Sequence, residues 1–165
     1  CAYGIAETAR SRIAAAKLRA GDVQGFGELI SISHEGDRVT RMDGGRRVRV
    51  DNSLTDEKID SLIADLHSRD PQAAEKARLW RLPGGYGASC EEIDLLVDTA
   101  RSVEGTVGAG LVGAGLGGTM IALVREDAAQ AVIDLMVQAY YRPRNLPPAV
   151  SVVQPVGGCG VLDVE

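Results

Sequence analysis

A glycine run interrupts the apolar C-terminal half of this chain, between the segments Val107–Val112 and Thr119–Val124. Glycine has no Cβ, so a glycine-rich backbone can approach another backbone or an anionic ligand closely. The pattern predicts a strand, a glycine turn and a second strand, although the glycines can equally serve tight packing without any ligand. The candidate functional residues are those of the turn: Gly113, Ala114, Gly115, Leu116, Gly117 and Gly118.

Three familiar glycine patterns nearly fit this run, and each lacks a feature that its chemistry needs. Gly108-x-Gly110-x-x-Gly113 has the spacing of a dinucleotide-binding turn, but that turn requires a strand before it and a helix after it. Here a short strand-like apolar block follows instead. Gly113 and Gly118 have the spacing of an ATP-binding P-loop, but a threonine and a methionine follow where the phosphate-binding lysine is needed. The uncharged stretch 106–124 contains too much glycine for a membrane helix.

The composition is that of an ordinary globular protein of one domain. The chain has 165 residues, 45% hydrophobic and 25% charged, so it can bury a core without disulfides. The net charge of −5 argues against nucleic acid as the main partner. The cysteines, Cys1, Cys90 and Cys159, form no C-x-x-C pair, which favours reduced thiols in a cytoplasmic protein. No signal peptide is visible, and because the first residue is not methionine we expect a piece of a longer polypeptide.

Two helices are predicted at the start of the chain. Ile5, Ala9 and Ile13 repeat at helical spacing, and Gly21 is a typical C-terminal cap for that segment. Asp22 then caps a second helix, and we expect the two helices to form a hairpin. The apolar face of the second helix carries Phe26, Leu29, Ile30 and Ser33.

Residues 35–85 differ in character and are interpreted as an insert or subdomain, hereafter the insert. The strands Arg38–Met42 and Arg46–Val50 flank Asp43-Gly44-Gly45, which is a hairpin turn signal. Thr55 caps a helix with Ile59, Leu62, Ile63 and Leu66 as its apolar stripe. Asp70-Pro71 begins a further helix through Ala73–Leu82, in which Trp80 is interpreted as a packing residue.

The remaining segments complete an α+β pattern. Ser89-x-x-Glu92 predicts a capping box, followed by a helix with Ile93, Leu96, Val97 and Ala100 as its buried stripe. After the glycine-bearing strand pair, a helix is predicted from Asp127 to Tyr141, with a core face of Val132, Leu135, Met136 and Ala139. Two final strands, Ala149–Gln154 and Cys159–Val164, follow. We expect the antiparallel strands in one layer, with the helices on one face.

Several motifs occur in an order that is more specific than any one of them. The first group of motifs consists of Leu18-Arg19-Ala20-Gly21-Asp22, Phe26-Gly27-Glu28-Leu29 and Ser33-His34. The second group consists of Tyr86 and Ser89-Cys90-x-Glu92-Ile93-Asp94, and the glycine run comes last. Together they cover about two thirds of the chain, and they resemble the C-terminal half of the GHMP family of small-molecule kinases, galactokinases above all. Galactokinases usually have Phe where this chain has Leu116, and they lack a counterpart of the insert, so these departures put the sugar specificity in question.

The resemblance implies a ferredoxin-like C-terminal domain that closes over an active site built mainly by an N-terminal kinase domain. That missing half would hold ATP and Mg²⁺ and supply the carboxylate that activates the sugar hydroxyl, so no catalytic residue or metal ligand is expected in this chain, and the chain by itself would be inactive. The run Gly113–Gly118 would pack against the phosphate loop and line the substrate end of the cleft, with Gly115, Gly117 and Gly118 mattering most.

Other candidate residues have a structural interpretation beside a functional one. His34 fits an imidazole at a helix C-terminus better than a catalytic group or metal ligand. Cys90 and Cys159 are expected to be partly buried thiols rather than reactive ones. A basic cluster fits a solvated hairpin face, or else a surface for a nucleotide, an anionic substrate or a partner subunit. Its members are Arg38, Arg41, Arg46, Arg47 and Arg49.

Two alternatives to a galactokinase-like sugar kinase stay open. One is a stand-alone α+β module that binds a small molecule or a protein without catalysis. The other is a GHMP kinase whose acceptor is not galactose. A kinase half should expose an apolar or glycine-rich face that docks its other domain. The insert's role and the oligomeric state are not fixed by the sequence.

Overall fold

The computed structural model describes residues 2–154, and all statements on structure refer to that part of the chain. Its regular elements are α1 (Ala2–Arg19), α2 (Val23–Asp37), β1 (Thr40–Asp43), β2 (Arg46–Arg49), α3 (Asp56–Leu66), α4 (Pro71–Lys76), α5 (Glu91–Arg101), β3 (Thr106–Val112), β4 (Thr119–Val124) and α6 (Ala129–Met136). Short 3-10 turns occur at Leu79–Arg81, Glu126–Ala128 and Arg142–Arg144, and a π turn at Val137–Tyr141.

The predicted hairpin of α1 and α2 is confirmed. Gly21 ends the first helix in the left-handed region, with φ of 69°, and the Asp22 carboxylate accepts the N–H of Gly25 at 2.8 Å. The face that α1 buries differs from the prediction. Ala6 and Arg10 are buried, whereas Ile5 remains 57% exposed. The reason is a long-range contact, because the Arg10 guanidinium donates to backbone carbonyls of the segment that follows α4.

The local elements of the insert form largely as predicted. β1 and β2 pair in antiparallel register through a two-residue turn, in which Gly44 and Gly45 have φ of 52° and 80°. Thr55 and Asp70 cap α3 and α4. The helix predicted over Ala73–Leu82 ends earlier, at Lys76, because Arg78 takes an extended conformation with ψ of 140°. The apolar stripe of α3 stays largely in solvent.

The two ends of the insert meet. The N–H groups of Tyr86 and Gly87 donate to the carbonyl of Gly36 at 2.8 and 3.0 Å, and the N–H of Ser89 donates to the carbonyl of Asp37 at 2.8 Å. The backbone therefore leaves the end of α2 and returns to it before α5 begins.

The core lies between the β3–β4 ribbon and the helices α5 and α6. The predicted stripe of α5 is buried, and Val132 and Met136 of the predicted last helix join it. The capping box at Ser89 is wrong. The cap position is Cys90, which makes no side-chain cap bond, and the Ser89 hydroxyl donates to the Cys90 carbonyl at 3.4 Å. The core residues are Ile93, Leu96, Val97, Ala100, Ala109, Val132, Met136 and Tyr141.

The arrangement confirms the α+β class. Ala109 and Leu111 of β3 face α5 and α6, and α2 lies against β3 where Gly108 and Gly110 leave room for its backbone. Within residues 2–154, β1–β2 and β3–β4 remain separate two-stranded sheets. The strand predicted over Ala149–Gln154 is not formed, because this segment pairs with neither ribbon, and its predicted partner Cys159–Val164 lies outside the described residues.

Candidate functional site: the glycine loop

The residues Gly113–Gly118, hereafter the glycine loop, connect β3 to β4 at one end of the ribbon. All four of its glycines have φ between 87° and 123°, and Leu116 has φ of 59°, which is uncommon for a residue with a side chain. Leu116 is also 89% exposed. The loop thus holds a backbone conformation that glycine permits, with its one large side chain directed into solvent.

The glycine loop rests on the segment that precedes α5. The N–H of Leu116 donates to the carbonyl of Ala88 at 2.6 Å, and a Cβ on Gly115 would lie 2.6 Å from the Cβ of Ala88. Gly115 is therefore required for this contact. A Cβ on Gly113, Gly117 or Gly118 would meet no described atom within 4 Å, so these positions are open toward solvent.

Most of the loop's backbone donors are free. The N–H groups of Ala114, Gly115, Gly117 and Gly118 have no hydrogen-bond acceptor within residues 2–154. Unpaired N–H groups in a left-handed turn form a concave surface that suits a phosphate oxygen or a backbone carbonyl. The loop can therefore donate hydrogen bonds to a ligand or to another polypeptide segment, and it offers no side-chain oxygen for a metal ion.

A buried polar chain supports the strand that enters the glycine loop. The N–H of Leu111 donates to Nδ1 of His34 at 3.3 Å, and Nε2 of His34 lies 3.3 Å from Oδ1 of Asp94. The other carboxylate oxygen of Asp94 accepts the N–H groups of Val39 and Thr40 at 3.0 and 2.7 Å, and the Thr40 hydroxyl at 3.0 Å. Burial opposes ionisation of Asp94, but these donors outweigh it and hold the pKa of the carboxyl well below its ordinary value.

A second polar pair lies where the insert closes. The Tyr3 hydroxyl donates to Asp37 at 2.6 Å, and the Tyr3 ring stacks on Tyr86 with centroids 5.1 Å apart. Burial raises the pKa of the Asp37 carboxyl, although the Tyr3 hydrogen bond opposes it. Burial, together with this carboxylate, also raises the pKa of the Tyr3 hydroxyl. Tyr86 is 66% exposed and presents an aromatic face to solvent. It lies two residues before Ala88, whose carbonyl accepts the N–H of Leu116 in the glycine loop.

Arg101 joins α5, α2 and β3. Its guanidinium donates to Glu35 at 2.5 Å, to the Ser31 carbonyl at 3.0 Å and to the Ala109 carbonyl at 2.7 Å. Burial alone would raise the pKa of Glu35, but Arg101 and Arg38 outweigh it and lower that pKa. These contacts fix the outer edge of β3, which carries the chain into the glycine loop.

The predicted basic cluster divides into two sets. Arg38 is buried and pairs with Asp98 at 2.7 Å, and Arg47 pairs with the same carboxylate at 2.6 Å, so both attach the β1–β2 hairpin to α5. The exposed members of the cluster are Arg41, Arg46 and Arg49. Cys90 is partly buried, as predicted, whereas Cys1 and Cys159 lie outside the described residues.

His34 was considered from sequence, but its partners were not. The sequence analysis did not predict the contacts of four residues: Asp94, Asp37, Tyr3 and Arg101. A polar residue at the edge of an apolar stripe was a usable signal for Asp94, which stands three positions before the buried Val97. No local pattern marks the other three, because their partners lie far away in the chain.

Comparison with known protein families matches residues 62–142 to the C-terminal domain of GHMP kinases. The matched range contains α5, the glycine loop, both strands that hold it, and α6. This chain carries a GHMP kinase C-terminal domain. The membership agrees with the resemblance that the order of motifs indicated.

Similar proteins of this GHMP kinase domain include several galactokinases. The galactokinase of Pyrococcus furiosus is 40% identical over 82 residues, which are 50% of this chain and 23% of that protein. The galactokinase of Lactococcus lactis is 28% identical over 163 residues, 99% of this chain and 30% of that protein. The galactokinase of Thermotoga maritima is 42% identical over 55 residues, 33% of this chain and 16% of that protein.

The chain therefore spans less than a third of the length of these relatives. Among the described residues, no helix combines the length and the apolar character that crossing a membrane requires.

Proposed function

We propose that this chain is the C-terminal part of an ATP-dependent sugar kinase that transfers the γ-phosphoryl group of ATP to a sugar hydroxyl. The observation that carries the proposal is the match of residues 62–142, which include the glycine loop, to the GHMP kinase C-terminal domain, together with the galactokinase relatives. A galactokinase-like acceptor is the first candidate. The enzyme is proposed to act in the cytoplasm, without a nucleic acid or a membrane as partner.

The glycine loop is proposed to line the substrate end of the active-site cleft and to pack against the phosphate-binding loop of an N-terminal kinase domain. Its free N–H groups fit a phosphate oxygen or the backbone of such a loop. Phosphoryl transfer depends mostly on positioning and on stabilisation of negative charge, and free N–H donors in a loop that is anchored through Leu116 to Ala88 can serve both needs.

ATP and Mg²⁺ are proposed to bind mainly to groups outside this chain. The glycine loop fits the phosphate part of ATP through its N–H groups, whereas Mg²⁺ prefers oxygen ligands that the loop side chains do not supply. Bound Mg²⁺ would neutralise charge on the transferring phosphoryl group. The residues of this chain are proposed to hold the glycine loop in place and to help exclude water from the active-site cleft.

The insert, residues 35–85, is proposed to be a subdomain within the C-terminal part of the kinase, because the family match begins inside it, at residue 62. Its two ends are held together by backbone hydrogen bonds to Gly36 and Asp37, which supports a structural unit closed at its base between α2 and α5. An insert that covers the acceptor sugar would help to determine whether galactose or another acceptor binds.

The test is a phosphotransfer assay on the full-length protein with ATP, Mg²⁺ and a panel of hexoses and pentoses, read by ADP release and by phosphorus NMR of the product. We expect a sugar phosphate and equimolar ADP, with galactose among the best acceptors. Phosphorylation of another small alcohol but not galactose would assign a different GHMP acceptor. No ADP release above background with any acceptor would contradict the proposal and favour a binding module. The 165-residue chain by itself should give no product.

A further inference from the structure

The outer edge of β3 is closed by two side chains. Arg101 donates to the carbonyl of Ala109, and the Nδ1 atom of His34 accepts the N–H of Leu111. Leu111 stands two residues before the glycine loop, and the His34 side chain is fully buried. His34 therefore holds the strand at the place where the chain enters the loop.

The hydrogen bond that His34 accepts from Leu111 indicates its tautomer. Because the Leu111 N–H donates to Nδ1, that nitrogen carries no proton and the imidazole proton lies on Nε2. Nε2 faces Oδ1 of Asp94 at 3.3 Å, and within residues 2–154 neither atom makes a hydrogen bond of regular geometry. The Asp94 carboxylate thus lies beside the protonated nitrogen, and its negative charge favours this tautomer.

Asp94 and α2 are themselves held firmly. The second carboxylate oxygen of Asp94 accepts three donors from Val39 and Thr40 of the insert. A Cβ on Gly110 would lie 3.0 Å from the carbonyl oxygen of Ile30 and 3.2 Å from Cβ of His34, so α2 and β3 are already in close contact. Because the His34 side chain is fully buried, it cannot turn away from Leu111 into solvent.

We infer that His34 is a positioning residue for the glycine loop, and that Asp94, bound by the insert, fixes the orientation and tautomer of its imidazole. The effect on phosphoryl transfer rests on the proposed function, whereas the order of the loop can be measured independently. A displaced loop would present its N–H groups to the wrong place, and positional errors of this kind reduce turnover more than substrate affinity.

Two amide variants separate the two sides of the imidazole. In His34→Asn, the side-chain oxygen reaches the position of Nδ1 and still accepts the Leu111 N–H. In His34→Gln, the amide reaches toward Asp94 and leaves the Leu111 N–H without an acceptor.

Hydrogen exchange followed by mass spectrometry on the full-length protein reads the peptides that span residues 109–120. We expect His34→Gln to speed exchange there by about tenfold and to lower kcat by about tenfold at nearly constant KM. His34→Asn should stay within about twofold of the parent in both measurements.

Two further variants complete the test. Val132→Ala removes volume from the apolar core without touching the polar chain, so it reports general destabilisation. Thr40→Val removes one donor from Asp94, leaves His34 intact, and should speed loop exchange by about twofold.

Equal rates of hydrogen exchange in the glycine loop of the two His34 variants would overturn the inference. Exchange rates in both His34 variants that rise only as much as in Val132→Ala would also overturn it. If the His34 variants do not fold, unchanged loop exchange in Thr40→Val would overturn the part assigned to Asp94. If the full-length protein phosphorylates no sugar, the proposed function fails, and the exchange data still decide the role of His34.

Discussion

Gly27 and Gly108 face each other so closely that a Cβ added to Gly108 would lie 2.7 Å from the Cα of Gly27. A Cβ on Gly27 would in turn lie 2.7 Å from the carbonyl carbon of Val107. Real Cβ atoms do not come this close to backbone, so α2 packs directly on the main chain of β3. The alignment of α2, and with it the place of His34, depends on these two glycines.

The first prediction concerns this contact. Gly108→Ala in the full-length protein should destabilise the domain by about 3 kcal/mol, because helix and strand must separate and the backbone has no side chain to rotate away. Thermal unfolding followed by calorimetry measures the change. Gly4→Ala is the matched control, since Gly4 lies in a helix with no atom within 4 Å of an added Cβ. The control should be neutral or stabilise by about 0.5 kcal/mol. Equal effects of Gly108→Ala and Gly4→Ala on the free energy of unfolding would contradict the close contact between α2 and β3.

The second prediction concerns the open face of the glycine loop. Gly117→Val in the full-length protein should lower kcat/KM of the proposed kinase activity by about a hundredfold, because the added side chain would project toward the phosphate-binding loop of the proposed N-terminal domain. Gly44→Val is its control. Gly44 also has a positive φ and open space around its Cβ position, but it lies in the β1–β2 turn. A comparable loss of activity in both variants would mean that backbone strain alone is responsible.

The third prediction uses the lowered pKa of Asp94. A carboxyl whose pKa is lower in the folded state stabilises the protein above its unfolded pKa of about 3.9 and loses this contribution as the pH falls toward the folded pKa. Asp94→Asn should therefore destabilise the full-length protein by about 3 kcal/mol at pH 7, and the difference should shrink below about pH 4. Urea unfolding at several pH values checks this. A difference that does not change with pH would indicate that Asp94 is not ionised in the folded protein.

Asp37 should behave in the opposite way. Burial raises its pKa, so the folded state binds a proton more tightly than the unfolded state does, and this contribution is lost as the pH rises through the folded pKa. Asp37→Asn removes the buried charge and keeps an oxygen that accepts the Tyr3 hydroxyl. We expect unchanged or increased stability at pH 7 in the same urea experiments. A loss as large as that of Asp94→Asn would show that the Asp37 carboxylate is stabilising.

A final prediction links the insert to Asp94. Replacing residues 38–85 by a short Gly-Ser linker removes the donors from Val39 and Thr40 and leaves the Asp94 carboxylate buried with fewer partners. Asp94→Asn should then be neutral or stabilising in the shortened protein, although it destabilises the complete one. A double-mutant cycle on unfolding free energies measures this change of sign. Additive effects would mean that the insert does not stabilise the Asp94 charge.

Local signals predicted most of the regular structure. Asp22 and Thr55 cap helices because each places a side-chain oxygen over free N–H groups, and Gly44-Gly45 makes a tight turn because both residues need positive φ. The glycine loop followed from the same reasoning, since its glycines separate two apolar strands. Such features depend on neighbours a few residues apart, which a sequence displays directly.

The failures arose where distant residues decide. Arg10 is buried in place of the Ile5 face because it binds carbonyls at Trp80 and Leu82. Ser89 does not cap α5, although its spacing to Glu92 fits a capping box. The support of the glycine loop by His34 and Asp94 was missed for the same reason, because neither residue has its partner nearby in the chain.

The closed base of the insert has a consequence for how this region can change in length. When Gly36 and Tyr86 are hydrogen-bonded to each other, the entropy of closing the loop between them grows only with the logarithm of its length. Doubling the segment would cost about 0.6 kcal/mol, and halving it would recover the same amount. Selection on stability therefore constrains the size of this segment weakly. The closure entropy of the segment between α2 and α5 would therefore change little if its length changed by tens of residues.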